Sequence, residues 1–206
     1  MPTPDAPLIL ASASPRRREL LRNAGLRFRV IPSQTAEEVR PGEAPHDYVR
    51  RTALDKARAV AGDHPAAWIL AADTIVEIDG QILGKPRDEA DGRRMLGLLS
   101  GRQHRVMTAF VVLGAEHQVE HLVERLVTST VRFKPLSEVQ IGAYLASGEP
   151  ADKAGAYAIQ GRGRALVADI QGSYTNVVGL PMDEVLACLQ ALGIQTPPAD
   201  PVGKAS

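Results

Sequence analysis

One cysteine, Cys188, stands in 206 residues, so no internal disulfide can form. Its apolar, helix-like surroundings mark it as a buried structural thiol, and its solitude fits a reducing compartment. Net charge is absent too, with 24 Lys plus Arg against 24 Asp plus Glu. No global field therefore draws in DNA or an anionic membrane, and any anion site must be local. Aromatics make up only 4% of the chain, too few for a base-stacking nucleic-acid surface. No run approaches the roughly 18 apolar residues of a membrane helix, and no charged segment leads into an apolar one near residue 1. The cytoplasm is the expected location.

Several catalytic signatures are also missing. There is no G-x-x-x-x-G-K-[ST], no G-x-S-x-G and no H-E-x-x-H, which removes the best support for a P-loop enzyme or a triad hydrolase. His117-Gln-Val-Glu120-His121 matches the inverted zinc-protease pattern H-x-x-E-H. That pattern needs a helix, and this one falls in the link between two strand-like runs, where residues four apart do not share a face as on a helix. Gly161 and Gly163 form a G-x-G without a third glycine or a following helix, so a dinucleotide fingerprint is excluded.

What is present is 44% hydrophobic residues, enough for a core, and elements that alternate before the strands cluster. Strands are expected at 7–11, 27–32, 68–76, 81–83, 105–114, 122–133 and 165–170. Helices are expected from Ser14 to Ala24, over 46–61, from Asp88 to about Ser100, from Ser137 to Gly148 and from Pro181 to about Gly193. Residues 33–44 and 149–164 read as loops. The class is α/β with a mixed sheet. One domain over 1–194 is expected, followed by a disordered Pro- and Ala-rich tail at 195–206.

Arginine outnumbers lysine 19 to 5, and three arginines follow Ser14-Pro15. A strand, a Ser-rich turn and a helix start leave backbone N–H groups and a positive dipole near residues 14–17. Cations in a first helical turn are unfavourable, so Arg16 and Arg17 there call for an anion such as phosphate, with Ser12 and Ser14 adding hydroxyls. The competing reading is a solvated basic helix start. Asp73 interrupts an apolar strand, where a carboxylate is costly unless it meets a cleft, a metal or a cation. Thr74 falls on the opposite strand face or at the strand's end, and Lys85 follows the Asp79-Gly80 hairpin. An acid beside cations suits metal-assisted phosphoryl chemistry; a strand-end Asp bonded to a turn is the rival. One of Glu37 and Glu38 could serve as a second carboxylate for a hard cation, although a solvated pair explains both. Lys56 shares a helix with Arg50, Arg51 and Arg58, and a solvated face accounts for all four unless one turns inward. The stretch 148–163 carries four glycines, Asp152, Lys153 and Gln160; it is either a ligand-approaching loop or an ordinary surface loop.

Together, "LASASPRRRELL" at 10–21, "AADTIV" at 71–76, "LGKPRD" at 83–88, "GEPADKAGAYAIQGRG" at 148–163 and "GSYTNVVGLP" at 172–181 resemble the Maf family of nucleoside triphosphate pyrophosphatases. The last two stretches resemble the branch acting on dTTP and UTP rather than the one acting on 7-methyl-GTP. The resemblance implies a mixed central sheet flanked by helices, similar to inosine triphosphate pyrophosphatases, with a central cleft between two lobes. It implies a divalent cation, Mg²⁺ or Mn²⁺, held by Glu37 and Asp73. It makes Asp73 the catalytic acid and proton acceptor, and Arg16, Thr74 and Gln160 the residues that set substrate choice. Ser12, Arg17, Lys56 and Lys85 are then the other substrate-binding residues. The expected partner is a nucleoside triphosphate, with no nucleic acid or membrane, and a homodimer is left open. The alternatives are a 7-methyl-GTP pyrophosphatase and a non-catalytic nucleotide- or nucleic-acid-binding regulator of cell division.

Overall fold

The protein is described by a computed structural model covering residues 6–116 and 119–194. His117, the first residue of the H-x-x-E-H stretch, and the expected tail lie outside the described residues. Among the described residues seven strands form one mixed sheet: β1 (Leu8–Leu10), β2 (Arg29–Val30), β3 (Trp68–Ile78), β4 (Gln81–Leu83), β5 (Gln103–Glu116), β6 (Val119–Phe133) and β7 (Val167–Gln171). The order is β2-β1-β3-β5-β6-β7, with β4 also paired to β3. β1 is parallel to β2 and β3, and all other pairings are antiparallel.

The alternation along β3 divides the core. Ile69, Ala71 and Ile75 face α2 (Pro45–Ala61), packing on Tyr48, Val49, Ala53 and Ala57. Leu70 and Ala72 face the other side. There they meet Leu21 of α1 (Pro15–Asn23) and Val185 and Leu189 of α6 (Met182–Ala191). Further along that side, Val76 packs with Leu96 and Leu99 of α3 (Glu89–Leu99) and Ile141 and Tyr144 of α4 (Glu138–Leu145).

Local signals end these elements as expected. Ser14, Asp88 and Ser137 cap their helices by accepting backbone N–H bonds. Asp79 and Gly80 both take positive φ, as the type I′ form of a two-residue hairpin requires. Three expectations need correction. β2 has two residues, not six, because only Arg29 and Val30 find partners on β1. The 149–164 loop folds into 3-10 turns over Glu149–Asp152, Ala154–Ala156 and Gly161–Leu166. A short helix, α5 (Tyr174–Val178), stands where none was expected. Five residues are too few for a 3.6-residue period to show. Its stability is tertiary: buried Asn176 donates to Val106 O and Ser129 Oγ, each at 3.0 Å. Cys188 is half-buried, and burial raises its thiol pKa. Among the described residues no helix is long and apolar enough to cross a membrane.

His104 provides a test of this packing. Its ring lies 2.7 Å from the Tyr157 hydroxyl and edge-on to Phe133. Burial pushes its pKa down to about 4, against the weaker pull of the Glu77 charge. A base depressed below its unfolded value favours folding above about pH 6.5 and loses that contribution as pH falls toward 4. The loss should reach about 3 kcal/mol. The unfolding free energy of wild type relative to His104→Gln, from urea curves, should fall by that amount between pH 7 and 4; a difference that does not change with pH would contradict it.

Candidate active site

The edge of β3 that faces β1 is interrupted. β1 pairs only with Trp68 to Leu70, and β4 only with Val76 to Ile78. Between them Asp73 and Thr74 have a sheet partner on one side only, β5, opposite Ala109 and Thr108. A hollow of about 350 Å³ opens at this gap. Because successive side chains leave a strand in opposite directions, Asp73 and Thr74 enter it from the two faces of the sheet.

On the α2 side, Asp73 Oδ1 lies 2.7 Å from Lys56 Nζ, and Glu37 Oε1 lies 2.5 Å from the same nitrogen. Lys56 is therefore the arginine-rich helix's inward-turning cation. It continues the buried line Tyr48, Thr52, Lys56, spaced four apart, while Arg50 pairs with Glu124, Arg51 with Glu43, and Arg58 is exposed. That line was the readable signal for Lys56. Glu37, not Glu38, provides the second carboxylate; Glu38 contributes its backbone carbonyl, to Arg51. Tyr48 donates to Glu37 O at 3.1 Å, further fixing the loop. Burial pushes the Glu37 carboxyl pKa up. The Lys56 hydrogen bond and the Lys56, Lys85 and Arg17 charges outweigh it, so the group stays below the usual carboxylate range.

On the other side, Arg17 is buried and bonded to protein oxygens. Nε donates to Gly179 O at 2.8 Å, Nη1 to Ala72 O at 2.8 Å and Ser12 Oγ at 3.2 Å, and Nη2 to Thr74 Oγ1 at 2.9 Å. It ties together the β1–α1 turn, β3 and the end of α5, which is why "GSYTNVVGLP" belongs to the site although its side chains mostly do not line it. Replacing Arg17 by Met should strand the Ala72 carbonyl, at about 1–3 kcal/mol, and leave Gly179 O with only the 3.3 Å bond from the Thr74 hydroxyl. Urea denaturation would read this, and a change of only a few tenths would refute it. Ser12 Oγ also accepts from Ser14 N, at 3.2 Å, and its own proton remains free to donate.

Arg16, Lys85 and Gln160 complete the rim. Arg16 has a buried Nε with no protein partner, the state a bound anion would relieve. Lys85 and Gln160 are exposed. Asp152 and Lys153 form an ion pair on the same rim. All nine candidate residues, Ser12, Arg16, Arg17, Glu37, Lys56, Asp73, Thr74, Lys85 and Gln160, thus line one hollow. The hollow combines the carboxylates of Glu37, Asp73 and Asp152 with the cations of Arg16, Arg17, Lys56, Lys85 and Lys153, a set suited to a polyanion whose charge changes during reaction.

The Maf-like protein family model matches residues 7–192. The chain belongs to the Maf-like protein family. Curated relatives agree. A dTTP/UTP pyrophosphatase of Geobacter sulfurreducens is 52% identical over 186 residues, 90% of this chain and 96% of the relative. Those of Anaeromyxobacter dehalogenans strain 2CP-1 and Myxococcus xanthus are each 50% identical over 190 residues, 92% of this chain and 96% and 94% of theirs. A solved structure, protein VC0702 from Vibrio cholerae, is a remote neighbour, with a TM-score of 0.35 and 14% identity over 71% of each chain. In this Maf-like chain the family match spans every residue of the hollow.

Proposed function

We propose that this Maf-like protein hydrolyses dTTP and UTP to the monophosphate and pyrophosphate. The single observation that carries the reading is the Glu37–Lys56–Asp73 cluster sharing one hollow with Arg16 and Lys85. The substrate class comes from relatives of about half-identical sequence that act on dTTP and UTP.

The donor set also bears on the cation. Among the described residues no group of three or more His, Cys, Asp or Glu could hold a metal by itself. Two hard carboxylates, Glu37 and Asp73, do share the hollow, and Mg²⁺ is commonly bound by one or two carboxylates plus substrate phosphates. The residues therefore fit a Mg²⁺ or Mn²⁺ that arrives with the triphosphate, and when bound it would neutralise phosphate charge.

Asp73 accepts the proton of the water that attacks the α-phosphorus. Lys56 offsets the charge of Asp73 and Glu37 together, holding both side chains in place. Arg16 and Lys85, which line the hollow, take the charge of the triphosphate and of the departing pyrophosphate. Ser12 donates its remaining proton to a phosphate oxygen. Arg17 works from behind, orienting Ser12 and Thr74. Thr74 and Gln160 meet the pyrimidine. With zero net charge the protein acts on free nucleotides rather than on polynucleotide or membrane, in the cytoplasm.

A pyrophosphate-release screen with Mg²⁺ or Mn²⁺ across nucleoside triphosphates tests the reading. dTTP and UTP should lead, with 7-methyl-GTP far behind. Release led by 7-methyl-GTP, or salt-dependent DNA binding without any release, would overturn it.

A further inference from the structure

Gln160 stands in a segment that no strand supports. Residues 157–160 pass between two 3-10 turns, and the Gln160 side chain is exposed at the rim of the hollow. Side-chain hydrogen bonds anchor its backbone on both flanks. On one, Ala158 N donates to the Tyr144 hydroxyl at 3.1 Å. On the other, Arg162 N and Gly163 N donate to Glu149 Oε2 and Oε1, each at 2.9 Å. Tyr144 closes the circuit by donating to Glu149 Oε1 at 2.9 Å.

The glycines show how tightly the loop is wound. A Cβ on Gly163 would come within 2.1 Å of Ala158 O and 2.7 Å of the Tyr144 hydroxyl, and one on Gly161 within 2.6 Å of Glu149 Oε2. Gly161 also has φ +69°, which glycine alone adopts at little cost. Neither Tyr144 nor Glu149 lines the hollow.

We propose that Tyr144 and Glu149 are positioning residues for base selection: they lock the 158–163 turn so that the Gln160 amide meets the pyrimidine at one fixed place. This rests on reading Gln160 as a base-contacting residue. The physical basis is directional. An amide hydrogen bond weakens steeply with misalignment, so a turn free to shift would still let Gln160 reach the base but not discriminate. Burial raises the Tyr144 hydroxyl pKa, so it remains a donor throughout the working pH range. Glu149 is held below the usual carboxylate range: burial pushes it up, and the Gly163, Arg162 and Tyr144 bonds outweigh that.

The test is the ratio of kcat/KM for dTTP to that for dGTP, measured in wild type, Tyr144→Phe, Glu149→Gln, Gln160→Ala and the double variant Tyr144→Phe/Gln160→Ala. A ratio taken on one preparation does not depend on how much of it is folded, so partial instability cannot mimic the effect. Tyr144→Phe and Glu149→Gln should each lower the ratio about tenfold, as should Gln160→Ala. In the double variant the ratio should match that of Gln160→Ala alone, because the lock acts through that side chain. If Gln160→Ala lowers the ratio while both lock variants keep the wild-type value, the lock is refuted and the Gln160 reading stands. If Gln160→Ala itself leaves the ratio unchanged, both fall. Full additivity in the double variant would also overturn the proposal.

Discussion

Asp73→Asn is expected to lower kcat roughly 10²–10⁴-fold while nucleotide affinity changes only a few-fold. Asparagine keeps the shape of the side chain, and its Oδ1 can still accept from Lys56, which now sits 2.7 Å from the carboxylate. What disappears is the group able to take a proton from water. The cations proposed to take the triphosphate charge, Arg16 and Lys85, are other residues of the same hollow and are untouched. Steady-state pyrophosphate release and calorimetric binding of a non-hydrolysable dTTP analogue separate the two quantities. A variant with near-normal kcat would remove Asp73 from the chemistry. One that also lost binding would mean that the carboxylate mainly organises the pocket.

The second large effect should follow from Lys56→Met. Methionine replaces the buried stem and deletes the ammonium. Glu37, with its side chain 45% exposed, can swing into water; Asp73, at 10%, cannot. A buried carboxylate left without its partner costs about 3 kcal/mol or more, which for a chain of this size is roughly 10 °C in Tm. Mn²⁺ should restore part of that loss and should stabilise the variant more than the wild type. The Glu37–Asp73 pair then has no internal cation, and a ligand that binds the folded state alone raises its stability. Calorimetric melts with and without Mn²⁺ measure both effects. An unchanged Tm in the metal-free variant would show that the cluster is not electrostatically coupled. Equal Mn²⁺ shifts in the two proteins would argue against cation binding by Glu37 and Asp73.

Local chemistry determined much of this protein before any folding in three dimensions. Ser14, Asp88 and Ser137 start helices because a side-chain oxygen three residues upstream satisfies an otherwise unpaired N–H. Asp79-Gly80 turns a hairpin because both residues tolerate positive φ. Asp73 was legible as a site residue because a charge in the middle of an apolar strand demands a partner. The short ordered stretches around it carried the family. Tertiary structure alone decided the rest. Lys56 could be read from its place four residues after Thr52 on the buried line of α2, but which of two adjacent glutamates meets it, and that Asp73 joins them, depends on where β3 lies under the helix. Arg17 bonds into the scaffold because Ala72, Thr74 and Gly179, between 55 and 162 residues away in sequence, come together around it. α5 exists because Asn176 reaches two strands. Capping and turn chemistry act over three or four residues and are written in the order of the chain; the partners of a buried charge are chosen by a sheet that brings distant segments together, and no local pattern records them.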